Sequence, residues 1–177
     1  MLNLKKVLLP LCIVFCPTVN AAAGSSFDAK VVRVVDGDTL QVLDDQKTNI
    51  RVRLYGIDAP ESKQAWGQKA KQALSGAVAS KTVTVVDHGM DVYGRLLGTV
   101  WLDGYDINAS MVSSGHAWVY RYQGNAVVPE YQKFESSAQS NGAGLWADKE
   151  PVPPWEWRQQ NNKNKKSSER SGESKHE

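Results

Sequence analysis

The chain has 177 residues, 41% hydrophobic and 23% charged, which is room for one ordinary domain plus appendages. No internal stretch reaches the eighteen or more apolar residues of a membrane-spanning helix, and the apolar content is too high for a fully disordered chain. The formal net charge of +2 hides a segregation: residues 161–177 hold five basic and three acidic side chains, whereas residues 24–160 hold 14 basic against 16 acidic. A domain of that balance is no general polyanion binder, so any nucleic-acid binding must come from a local constellation.

The chain opens with the basic start Met1 to Lys6, followed by an apolar run from Val7 to Phe15 that Pro10 interrupts. The small residues of Asn20-Ala21-Ala22-Ala23 then have the spacing of a signal-peptidase site, so residues 1–23 are expected to be a signal peptide cut after Ala21 or Ala23. Ile13, Val14 and Phe15 are bulkier than the residues that usually precede a lipidated cysteine, which disfavours an anchor at Cys16. The expected destination is the periplasm or the medium. Cys12 and Cys16 both fall in this segment, so residues 24–177 contain no disulfide, thiol nucleophile or thiolate metal site.

Phe27 to Val35 is valine-rich and reads as a strand, Asp36-Gly37-Asp38 as a turn, and Thr39 to Leu43 as a second strand. After the polar turn at 44–48, Ile50, Val52 and Leu54 alternate with Arg51, Arg53 and Tyr55 in a half-buried third strand. Beyond Pro60 the period changes: Trp66, Ala70, Ala73, Leu74, Ala77 and Val78 predict an amphipathic helix over 64–79. Thr82 to Val86 and Leu96 to Trp101 are two more strands, joined by turns at Asp87 to Met90 and at Tyr93 to Arg95. Short helices are expected at Asn108 to Ser114 and at Pro129 to Ser140, with Ala117 to Tyr122 extended between them.

Five short strands with a helix between the third and fourth predict an α+β fold, mainly β: a five-stranded Greek-key barrel of the OB type with three packed helices. The domain reading is a barrel domain over 24–150, a Pro/Trp-rich extension at 151–160 whose Trp155-Glu156-Trp157 packs back on it, and a disordered polar tail at 161–177.

Pairing 39–43 with 49–55 through a turn centred near residue 46 sets Asp38 opposite residues near 54. Asp58 leaves the same end of the hairpin, with Arg53 close by and Glu61 one turn later. Two carboxylates converging at one strand end offer hard oxygen ligands for Ca²⁺ or Mg²⁺, and no His or Cys companion favours zinc. Each piece has a plainer account: Asp-Gly-Asp is commonly only a turn, Arg51 and Arg53 on one strand face are commonly solvated, and Asp58 or Ser62 could simply cap a helix. Their occurrence together at one end is harder to dismiss.

In this order, Val35-Asp-Gly-Asp-Thr39, Arg53-Leu-Tyr-Gly-Ile-Asp58-Ala-Pro-Glu61 and Tyr93-Gly-Arg95 resemble the signature of the staphylococcal (thermonuclease-like) nuclease family over about Phe27 to Asp148. Pro151-Val-Pro-Pro-Trp-Glu-Trp157 resembles the tail of exported Gram-negative members, often plasmid-borne. The resemblance implies an OB-type barrel with three helices. By position it implies that Asp38, Asp58 and the backbone carbonyl of Ala59 hold Ca²⁺, with Asp36 in an outer position. It further implies that Glu61 orients or deprotonates the attacking water, and that Arg53 and Arg95 hold the phosphate. Tyr93, Tyr120 and Tyr122 are candidate substrate contacts, by stacking on unpaired bases; core tyrosines at 120 and 122 are an equal expectation. The implied reaction is in-line hydrolysis of the P–O5′ bond of DNA and RNA with little sequence preference, leaving 3′-phosphate ends, by a monomer without stable membrane insertion. The family often has Thr at the position of Ala59; a carbonyl ligand tolerates that change. His88, His116 and His176 form no cluster and carry no assigned role. The competing reading is a non-catalytic OB-fold module binding nucleic acid or protein, and a weaker third is a phosphodiesterase for small nucleotides.

Overall fold

Each long strand buries one side of its pleat. In the computed structural model, which describes residues 24–173 and the side chains as far as Lys163, β1 (Ser26–Val34) buries Ala29, Val31 and Val34. The spacing changes after Val31 because the register with β2 (Thr39–Leu43) slips between Val31 and Arg33, a bulge that keeps Val34 inside. Leu40 and Val42 of β2 and Val52 and Leu54 of β3 (Asn49–Leu54) are likewise inward and essentially fully buried. A two-residue strand β4 (Ile57–Asp58) and helix α1 (Gly67–Val78) follow, then β5 (Thr82–Met90) and β6 (Leu96–Leu102).

Strand order β3-β2-β1-β5-β6 is antiparallel throughout, and a parallel pairing of β3 with β6, Val52↔Leu96 to Leu54↔Gly98, closes the sheet. The result is the expected five-stranded barrel, with α1 inserted between its third and fourth long strands. A short β7 (Tyr105–Asp106) extends β6 and leads into α2 (Ile107–Ser113), capped by the Asp106 carboxylate on the Ala109 N–H. Next, β8 (Trp118–Val119) pairs with β4, β9 (Arg121–Tyr122) pairs with β10 (Asn125–Ala126), and α3 (Gln132–Ser140) follows a single 3₁₀ turn at Pro129–Tyr131. Leu74 and Val78 of α1 and Met111 and Val112 of α2 complete the core.

Four expectations need adjustment. The helix expected from 64 begins at Gly67, because Trp66 takes a left-handed φ of 69° and the preceding residues turn. The segment 87–90 is not a turn but a bulged continuation of β5, with Asp87↔Gly98 shifting to Met90↔Leu96; the reversal lies at 91–95. Ala117 to Tyr122 is extended but divided between β8 and β9. The polar stretch expected to lack structure from Asn161 continues a helix, α4 (Pro154–Glu173). Pro154 suits a first helical turn, and the Glu, Arg, Gln and Lys that follow are good helix formers once a packed first turn exists. Trp155, expected to pack back on the domain, does so against Trp118 with ring centroids 5.5 Å apart. The signal-peptide reading falls on residues 1–23, outside the described residues. Among the described residues, no helix is long and apolar enough to cross a membrane.

Candidate active site

The β2–β3 hairpin has the anticipated register. Leu43 pairs with Asn49 and Thr39 with Arg53, and the Leu54 N–H donates to the Asp38 carbonyl at 2.8 Å. Asp38 therefore stands at the open end of the hairpin, where the chain passes through β4 and delivers Asp58. The Asp36 carboxylate accepts from the Asp38 N–H at 3.1 Å and so shapes the Asp-Gly-Asp turn rather than joining the cluster. Gly37 serves a close approach: a Cβ there would lie 2.7 Å from the Cβ atoms of both Ala59 and Ala70. That contact presses the turn against the 57–61 segment, and the Ala59 N–H donates to Asp38 Oδ2 at 2.7 Å.

Arg53 ties the two acidic strand ends together. Its Nη1 lies 3.0 Å from Asp38 Oδ2 and its Nη2 2.9 Å from Asp58 Oδ1, while Nη1 also donates to the Ile57 carbonyl at 3.0 Å. Asp38 and Asp58 are 7% and 1% exposed. Burial pushes the Asp38 carboxyl up to about 7; Arg53 pulls the other way, and neighbouring Asp36 and Asp58 add to the rise. The centre thus carries more negative charge than its own cation neutralises.

Glu61 is held by its backbone. Its N–H donates to Gln64 Oε1 at 3.1 Å and its carbonyl accepts from the Gln64 N–H at 2.8 Å. The N-terminus of α1 backs this loop so closely that a Cβ on Gly67 would sit 1.9 Å from the Glu61 carbonyl oxygen. The Glu61 side chain remains partly exposed at the rim.

Arg95 stands apart from this cluster. It immediately precedes β6, two residues before Leu97, the register partner of Arg53. That places it on the outer side of the paired strands, one pleat from Arg53. Its Nε donates to Asp91 Oδ2 at 2.7 Å, and its N–H to Asp91 Oδ1 at 2.9 Å. Burial opposes ionisation of Asp91, but these bonds and the Tyr93 N–H hold its carboxyl below the usual range.

The sequence patterns of β2, β3 and the 57–61 segment thus bring Asp38, Arg53, Asp58 and Glu61 together, with Arg95 on the adjoining strand. A family model described as "Staphylococcal nuclease homologue" matches residues 51–148, the span from β3 to the end of the helical layer. The chain belongs to that family. It is 44% identical over 153 residues to Protein ParB of Escherichia coli, covering 81% of this chain and 86% of that one. It is 41% identical over 149 residues to the micrococcal nuclease of Shigella flexneri, covering 79% and 85%. To an uncharacterized endonuclease of Haemophilus influenzae it is 40% identical over 160 residues, covering 90% and 88%.

Within this family member, Tyr93, Tyr120 and Tyr122 are 81%, 38% and 63% exposed, so the core alternative for 120 and 122 gives way to a surface position. Tyr120 follows β8 and donates its N–H to the Gly56 carbonyl, beside the segment that carries Asp58. The histidines have packing partners: His88 stacks on Tyr55 and bonds Thr99, and His116 accepts from the Trp66 indole.

Sequence reasoning missed two residues. Asp91, four positions before Arg95, is the acid that orients it; the i,i+4 spacing was the available signal. Arg158 of α4 reaches back to Asp58 and Glu61, and nothing in its local sequence marks it.

Among the described residues, no three acidic or histidine side chains enclose a cation by themselves. A metal held here would take two carboxylates, Asp38 and Asp58, with a main-chain oxygen. That donor set is hard and all-oxygen, which fits Ca²⁺. The raised Asp38 carboxyl fits too: burial is what chiefly makes its ionisation costly, and a divalent ion beside it would offset that cost.

Proposed function

We propose that this chain, a hydrolytic nuclease by family, is an exported Ca²⁺-dependent endonuclease that cuts DNA and RNA with little sequence preference. The observation that carries the reading is the convergence of Asp38, Asp58, Arg53 and Glu61 at one strand end, with Arg95 one pleat away on the neighbouring strand. Export is supported by the basic, apolar and small-residue succession of residues 1–23.

Asp38, Asp58 and the Ala59 carbonyl would hold Ca²⁺, with Asp36 fixing the turn behind them. When bound, Ca²⁺ supplies positive charge to the phosphodiester oxygens and lowers the cost of a dianionic transition state. Arg53 and Arg95 grip the same phosphate, since their planar forks match its oxygens and stay protonated. Glu61, at the rim within reach of solvent, positions a water for in-line attack and accepts its proton. As the water oxygen bonds to phosphorus the P–O5′ bond breaks and the departing O5′ takes a proton from solvent, leaving a 3′-phosphate and a 5′-hydroxyl. Grip on phosphate rather than on base edges makes cutting tolerant of sequence and of the sugar. Exposed Tyr93, Tyr120 and Tyr122 offer stacking faces to unpaired bases.

Cleavage of plasmid and single-stranded DNA, and of an RNA oligonucleotide, in Ca²⁺ and in EGTA tests this reading. Cutting in Ca²⁺ alone with 3′-phosphate ends is expected. Tight binding without cutting in Ca²⁺ would instead favour a binding module.

A further inference from the structure

The acidic centre already has an occupant from outside the barrel. Arg158, near the start of α4, places Nη2 2.8 Å from Asp58 Oδ2 and Nη1 3.2 Å from Asp58 Oδ1. The same Nη1 donates to Glu61 Oε1 at 2.8 Å. One guanidinium fork therefore takes both oxygens of a proposed metal ligand and one oxygen of the proposed base. Asp58 Oδ1 also accepts from Arg53, so three guanidinium donors occupy most of the acceptor capacity of this carboxylate. With all three acids ionised, Asp38, Asp58 and Glu61 face two guanidinium groups, which leaves one negative charge, whereas a divalent ion in place of Arg158 balances the set.

The arm that carries Arg158 is seated but not built in. Gln64 Nε2 donates to the Val152 carbonyl at 2.6 Å, fastening the arm to the loop that presents Glu61. Trp155 then lies edge-on to Trp118. Beyond Trp157, α4 has no apolar side chain with which to bury surface, so its hold is polar. The Arg158 side chain is 40% exposed, which leaves the pair open to exchange with ions from solvent. The indole N–H of Trp118, against which the arm packs, and that of its neighbour Trp146 are buried without an acceptor among the described residues. A seat with orphaned donors is less favourable than a finished core contact.

We propose that Arg158 is a built-in stand-in for the divalent cation, and that the α4 arm closes the centre until the cation takes its place. The inference rests on the cation-dependent reading above and adds a threshold to it: at low cation concentration Asp58 and Glu61 are engaged by Arg158, and catalysis begins only when the arm leaves.

The test is calorimetric Ca²⁺ titration of the full chain and of its Arg158→Gln and Arg158→Lys variants, with plasmid cleavage run in parallel. Arg158→Gln is expected to bind Ca²⁺ about tenfold more tightly, the scale of one charge-assisted bond, and Arg158→Lys to fall between it and wild type. Hydrogen exchange supplies a second readout: Ca²⁺ added to wild type is expected to reduce protection of amides 155–163, and Arg158→Gln to show that low protection without Ca²⁺. Should Arg158→Gln melt below the titration temperature, Arg158→Lys and the wild-type exchange pattern decide. Equal affinities within twofold, or unchanged protection of 155–163 on adding Ca²⁺, would overturn the role of Arg158 while leaving a cutting, Ca²⁺-binding wild type as proposed. A wild type that neither binds Ca²⁺ nor cuts would overturn both.

Discussion

Two arginines on neighbouring strands live in opposite settings. Arg53, with a side chain 14% exposed, is locked to Asp38, Asp58 and the Ile57 carbonyl. Arg95 sits at a hairpin turn beside exposed Val92 and Tyr93, held by the single local acid Asp91. The difference separates two duties. Arg53 is a structural cation as well as a proposed phosphate ligand, because it bridges the two nearly buried carboxylates Asp38 and Asp58. Arg95, paired with a local turn acid, is expected to be replaceable without disturbing the core, so that its removal tests its proposed catalytic role.

The contrast can be broken from either side. Replacing Arg53 by Met should abolish activity and also strand Asp38, while Asp58 keeps Arg158, destabilising the EDTA-treated protein by about 3 kcal/mol. Urea unfolding measures that loss, and Ca²⁺ should restore part of it. Arg95→Ala should lower turnover by about 10²–10³-fold, the scale of losing one transition-state donor, with the urea midpoint nearly unchanged; Glu61→Gln should behave alike. A large stability loss in Arg95→Ala would erase the distinction.

Asp38 sharpens the same comparison through pH. Its folded-state carboxyl is raised to about 7 from an ordinary 3.8, so between these values the folded chain keeps a proton that the unfolded chain has released. Stability in EDTA should therefore fall as pH rises from about 4 through 7. Asp38→Asn should remove this slope; unfolding curves with the same pH dependence in both proteins would contradict it. The smallest effect belongs to Asp91→Ala, which leaves Arg95 in place but unoriented and should lower turnover about tenfold.

How much of this was legible in the sequence depends on the distance over which a contact forms. The turn at 44–48 fixes the hairpin register, which carries Asp38 to Leu54 and makes Asp58 and Glu61 neighbours by chain continuity. Alternation in β3 showed which face of that strand lines the barrel. The bulge at 87–90 reads as a turn because Gly89 has a turn composition and a φ of 97°, whereas the pairing that keeps it in β5 comes from β6. The left-handed Trp66 is similarly invisible: it is not a glycine, and it stands just before Gly67, which packs closely on Glu61. Arg158 lies 97 residues from Glu61 in a polar helix; a lone arginine at that separation has no periodicity or motif to announce it.

In the proposed function, the acids at 38, 58 and 61 and the arginines at 53 and 95 form one cation-dependent phosphodiesterase centre. End-group analysis of a defined oligonucleotide, digested in Ca²⁺ and in EGTA by wild type and by Glu61→Gln, addresses it most directly. Wild type should leave 3′-phosphate ends in Ca²⁺ only, with Glu61→Gln slower by orders of magnitude. Cutting that persists in EGTA, or that Glu61→Gln matches, would contradict it.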